Sequence, residues 1–163
     1  MAISRRLVLD AVAGRLAAVT NATGYRGQIG ARYGLPGVVG TPDEPPTKTG
    51  TDLRVQPYFI LEPGVGRPLP GEGSLGGPTD PFRDVDAPYV VRAAAGDHDD
   101  LLALVDRIDA VLRPPGGWAP TVAGAVCGPL VPQPGYEPPL LTDNGVTPPR
   151  LYVPLQYRLI AHT

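Results

Sequence analysis

Apolar positions recur along this chain in two periods, and both are clearest over residues 88–113. The run from Tyr89 to Ala95 is short, apolar and strand-like, and Gly96 turns the chain after it. On a helix of about 100° per residue, Leu101, Leu104, Val105, Ile108, Val111 and Leu112 then share an arc of roughly 120°. Asp106, Arg107, Asp109 and Arg113 point elsewhere. Asp97 suits the N-cap, and Asp100 suits the third helical position of a capping box. Asp97, Asp99 and Asp100 also complement the positive end of the helix dipole, and Arg113 the negative end. Pro114, Pro115, Gly116 and Gly117 stop the helix.

The same reading predicts a first helix over residues 4–20, capped by Ser4, with Val8, Val12, Leu16 and Val19 at helical spacing. Gly14 weakens it by about 1 kcal/mol relative to alanine, and residues 21–24 end it. Residues 54–61 form a strand whose Pro57 donates no ladder hydrogen bond, which argues for an edge or a bulge. Residues 121–131 form a further strand, and 28–33 are short enough to add only a minor one. The last strand, 151–161, places Leu151, Val153, Leu155, Tyr157, Leu159 and Ala161 on one face and Tyr152, Gln156 and Arg158 on the other. Pro154 falls on that second face and again argues for an edge or a bulge.

The order helix, strand, strand, helix, strand, strand predicts one α+β domain over residues 1–163. Its expected architecture is a mainly antiparallel four-stranded sheet with two helices packed on one face. Long Gly/Pro-rich loops are expected near 34–52, 62–86 and 132–149.

Composition tests that picture. The 163 residues include 21 Gly and 22 Pro, a share at which low-complexity disorder competes with folding. The breakers are clustered, however, and the apolar residues between them keep their periods, so a core with long extended loops is the better reading. Fourteen Lys and Arg nearly balance sixteen Asp and Glu, for a net charge of −2. No basic stripe is present to hold nucleic acid non-specifically. Cys127, the only cysteine, has no internal disulfide partner and reads as a small apolar strand residue. Without a signal-peptide pattern or an apolar run of membrane-spanning length, a soluble protein made in the cytoplasm is expected, with no membrane partner.

Chemical motifs contribute little. Gly71-Glu72-Gly73-Ser74-Leu75-Gly76 matches G-x-G-x-x-G, but Gly77-Pro78 follows where a helix N-terminus must hold the pyrophosphate, so no cofactor is expected. Asp97-His98-Asp99-Asp100 has the residue types of a metal or acid–base cluster, yet consecutive helical residues diverge and capping explains them. Two histidines and one cysteine assemble no nucleophilic triad. Asp143-Asn144-Gly145 is a turn lacking a calcium ligand ladder. The expectation is a non-enzyme without metal; the remote alternative is a small hydrolase or binding domain using His98 and its aspartates.

The helix over 4–20, the strand 88–95 running through Gly96-Asp97 into the helix ending Leu112-Arg113, and the terminal strand 151–161 resemble the tail terminator proteins of long-tailed bacteriophages. The resemblance is to those of actinobacterial hosts in particular, and a cation set of thirteen Arg and the single Lys48 suits a GC-rich genome. It covers about half the chain, mostly as architecture. It implies a structural virion protein at the head–tail junction, a subunit of a hexameric ring. Such a ring caps the finished tail tube, stops addition of tube protein and meets the head completion (stopper) protein, while genome DNA only passes through. The neighbouring readings are a head–tail adaptor or stopper, or a tube subunit. On this reading Val65, Leu69, Leu75, Phe82, Tyr136, Leu140 and Leu141, the large apolar residues of the breaker-rich loops, are the candidate contacts with other subunits or partners.

Overall fold

Two long strands, β4 (Asp84–Ala95) and β9 (Arg150–His162), pair antiparallel over twelve residues and form the spine of the sheet. The structure is a computed structural model describing residues 3–27, 45–50, 52–64, 66–68, 84–145 and 147–162. Around the spine, in chain order, lie helix α1 (Arg5–Leu16), β1 (Thr23–Arg26), β2 (Tyr58–Pro63), β3 (Arg67–Pro68), helix α2 (His98–Leu112), β5 (Thr121–Val122), β6 (Ala125–Cys127), β7 (Val131–Pro132) and β8 (Leu141–Asp143).

Strict alternation explains the spine. Val85, Ala87, Tyr89, Val91, Ala93 and Ala95 of β4 are buried, as are Val153, Leu155, Tyr157, Leu159 and Ala161 of β9. Period 2 sends all of them to one face. Both helices meet that face: Val8, Val12 and Leu16 of α1 and Leu101, Leu104, Ile108 and Leu112 of α2 join the same cluster. On the opposite face Val55, Tyr58, Ile60 and Ala94 form a smaller cluster, with Tyr25 and Tyr152 against it.

The expected four-stranded, mainly antiparallel sheet is incorrect. The described residues form a nine-stranded mixed sheet in the order β1-β2-β4-β9-β6-β5, with β3 on β4 and β7 and β8 on β9. β1 joins β2 in parallel, a pairing across more than thirty residues of chain that no local pattern announces. The sheet curls far enough for α1 to touch β5 as well as α2.

Two of the expected loops also contain strand. The stretch 62–86 holds the end of β2, all of β3 and the start of β4, and 132–149 holds β8. The expected strand at 28–33 lies outside the described residues, as do residues 34–44 and 69–83 of the loops.

The flanking lanes are interrupted, and the interruptions accommodate proline. Between β2 and β3 the register against β4 gains one residue. This bulge contains Gly66 at φ +72, a left-handed conformation that glycine adopts without penalty. Gly64 N donates to the Pro88 carbonyl at 2.8 Å, so the side of Pro88 that lacks an N–H faces the bulge. Against β9, the register gains one residue between β6 and β7 and four between β7 and β8. Pro154 lies opposite that larger gap. Its carbonyl accepts the Tyr136 hydroxyl at 3.1 Å in place of a ladder partner. Proline in a strand is confined to edges and interruptions, and the second option applies here.

Candidate functional site

Of the seven candidate contact residues, Val65, Leu69, Leu75 and Phe82 lie outside the described residues. The other three separate. Tyr136 is half-buried and tied to Pro154, and Leu141 pairs with Tyr152 in β8. Only Leu140 faces outward, with 49% of its surface exposed. Two residues of the strand expected over 121–131 are also exposed, Val126 (73%) and Val131 (40%). All three belong to the segment that runs antiparallel along β9. Exposed prolines at 129, 132, 134, 138 and 139 lie among them. Proline offers no N–H, so this outer edge is poorly suited to pairing with another strand.

A second apolar surface lies between α1 and the β1–β2 end of the strand order, although the curl of the sheet also sets α1 against β5. Two adjoining depressions of about 320 and 520 Å³ share Arg26 and Leu61 in their linings. Leu9, Ala13 and Ala17 of α1 form one wall, above Phe59 and Leu61 of β2, which are both buried in the core. Arg26 reaches Asp10 at 2.8 Å between β1 and α1. Gly24 is required here, because a Cβ would stand 2.5 Å from the Phe59 ring.

The acidic cluster at the start of α2 is an ion network. Asp97 accepts the Asp100 backbone N–H at 2.8 Å, as an N-cap does. Residues 46–50 and 52–56 run back along each other, with Lys48 N donating to the Arg54 carbonyl and Gln56 N to the Pro46 carbonyl. This pairing brings Lys48 Nζ to 2.6 Å from Asp100 and Arg54 to 2.8 Å from Asp97 and from Asp52. Asp100 thus pairs with Lys48 instead of completing the expected capping box. The Asp100 N–H, with Arg54 and Lys48 nearby, holds the Asp97 carboxyl below its ordinary range. The Arg54 hydrogen bonds do the same for Asp52. His98 lines a depression beside these groups but is itself exposed. The sequence signal for this clamp was three aspartates in one turn with no cation nearby in the chain.

The open face of the sheet carries further cross-lane pairs. Arg158 Nε donates to Asp86 at 2.7 Å, Arg92 meets Glu62 at 3.0 Å, and Arg150 bridges Asp143 and the Tyr58 hydroxyl at 2.9 Å each. Each pair ties neighbouring lanes together. Among the described residues, no group of three or more His, Cys, Asp or Glu is arranged to hold a metal ion, and no helix is long and apolar enough to cross a membrane. Gly71–Gly76 lies outside the described residues. Comparison with known protein families and with curated proteins finds no match.

Proposed function

We propose that this chain is a structural, non-enzymatic assembly subunit, and that its assembly is a ring capping a bacteriophage tail tube at the head–tail junction. The observation that carries an assembly role is the exposure of Val126, Val131 and Leu140 in the segment that runs along β9. These apolar side chains stand out on or beside the short strands that pair with β9, where an isolated subunit leaves them in water. Val126 and Val131 share the open face of the sheet with their partners His162 and Arg158, and exposed apolar side chains on one face offer a surface for contact. The ionic clusters, by contrast, are internally paired and hold elements together.

The ring and its place on the tail rest on the resemblance of the α1, β4–α2 and β9 elements to tail terminators. In that role the subunit stops tube growth and offers its other side to the head completion protein, in a virion assembled in the host cytoplasm.

The test is a tube-growth assay. Purified protein added to polymerising tail tube protein binds tube ends and fixes tube length. Incorporation along the tube wall instead identifies a tube subunit, and no effect on tube length contradicts the terminator role.

A further inference from the structure

We propose that Asn144, in the connection from β8 to β9, is a self-modifying residue. Its side-chain amide is converted to a carboxylate through attack by the Gly145 backbone nitrogen, and Asp143 accepts the proton that this nitrogen loses.

The reaction needs an asparagine side chain free to turn, an unobstructed backbone nitrogen after it, and a group to take the proton. Asn144 and Gly145 are both exposed, and no hydrogen bond among the described residues holds the Asn144 amide. Glycine has no Cβ to block the approach, and its backbone turns more freely than that of other residues. The Gly145 N–H already points at a carboxylate, donating to Asp143 Oδ1 at 3.1 Å. A base within hydrogen-bond reach of the proton it removes is the geometric requirement for general-base assistance.

Asp143 is itself fixed. Arg150 Nε and Nη2 hold its other oxygen, Oδ2, at 3.0 and 2.9 Å, and Arg150 Nη1 donates to the Tyr58 hydroxyl at 2.9 Å. Asp143 also pairs with Arg150 in the ladder between β8 and β9. The proton acceptor is thus anchored to the sheet, while Asn144 and Gly145 lie just beyond the last residue of β8.

The step consumes only water. The Gly145 nitrogen bonds to Asn144 Cγ, and the Asn144 amide nitrogen leaves as ammonia with the proton that passed through Asp143. The product is a cyclic succinimide. Water opens it to aspartate where the Cγ–N bond breaks, or to isoaspartate where the backbone C–N bond breaks. Either product adds a negative charge beside Asp143, and isoaspartate also lengthens the backbone by one carbon.

The other asparagine of the chain, Asn21, is held against the same reaction. It has φ +53 between α1 and β1 and precedes Ala22, whose half-buried methyl packs against the main core. Ring closure there would displace that methyl.

The test incubates the purified full chain for weeks in mildly alkaline buffer and follows residues 144 and 21 by peptide mass spectrometry. Residue 144 is expected to appear as aspartate and isoaspartate, at least about tenfold faster than residue 21 changes, a barrier difference of about 1.4 kcal/mol. Residue 144 unmodified, or modified no faster than residue 21, overturns the site.

Asp143→Ser keeps a hydroxyl acceptor for the Gly145 N–H and removes the carboxylate. It is expected to slow residue 144 by about tenfold or more, and to steepen the rise of its rate with pH because hydroxide must then take the proton. A rate unchanged or raised in this variant overturns the part given to Asp143. If Asp143→Ser does not fold, wild-type protein in urea replaces it, and residue 144 reacting faster unfolded than folded overturns that part.

Discussion

The Tyr157 hydroxyl on β9 donates to the Asp109 carboxylate on α2 at 2.7 Å, and Arg113, one turn further along the helix, holds the same carboxylate. Tyr157 is almost wholly buried, with 2% of its surface exposed, so this contact locks the second helix to the central strand through a polar bond inside the core. Removing the acceptor leaves a buried hydroxyl without its partner, whereas removing the donor leaves Asp109 with Arg113. Asp109→Ala is therefore expected to cost about 1–3 kcal/mol in urea unfolding, and Tyr157→Phe less. The reverse order contradicts this role for the pair.

The same contact predicts alkaline sensitivity. Burial, reinforced by Asp109, pushes the Tyr157 phenol well above its ordinary value, and burial pushes Tyr89 up to about 12. A raised folded value means that stability is full below the unfolded value near pH 10 and falls as pH rises through the folded value. The melting temperature is expected to drop above about pH 10, and Tyr157→Phe to flatten the drop.

At the other end of α2 the sign is opposite. The Asp97 carboxyl is held low, so its contribution is full above the unfolded value near pH 4 and disappears as pH falls through the depressed folded value. Asp97→Ala is expected to cost about 1 kcal/mol, the usual loss of an N-cap. Asp97→Asn keeps a capping acceptor, removes the ion pair with Arg54 and is expected to flatten the acid limb of a stability–pH curve. An unchanged acid limb contradicts the clamp.

Two glycines should respond in opposite directions to alanine. At Gly96 a Cβ would stand 2.7 Å from the Val55 nitrogen, in backbone that cannot swing aside. Gly96→Ala is expected to destabilise by about 1–3 kcal/mol through this overpacking. At Gly14 in α1 a Cβ meets nothing within 4 Å, so Gly14→Ala is expected to stabilise by up to about 1 kcal/mol through helix propensity. Thermal melts of the two variants check both signs.

What the sequence made legible was the long, regular part of the fold. Alternation marked Val153 to Ala161, helical spacing marked Leu101 to Leu112, and Asp97 announced its cap. The short strands were not legible, because Val131–Pro132 or Arg67–Pro68 is too brief to show any period and contains the residue that argues against a strand. The parallel pairing of β1 with β2 depends on distant contacts. The candidate surface was half visible: Leu140 could be named, but Val131 shares the open face with Val126 only because one extra residue between β6 and β7 shifts the register against β9. Lys48 and Arg54 reach the acids of α2 through a pairing of residues 46–50 with 52–56 that the Gly/Pro content concealed.

The most direct test of the assembly role is the size distribution of the purified full chain by native mass spectrometry and negative-stain electron microscopy across a wide concentration range. A closed ring of fixed subunit number, appearing without larger species as concentration rises, is expected. Open filaments that lengthen with concentration would contradict it.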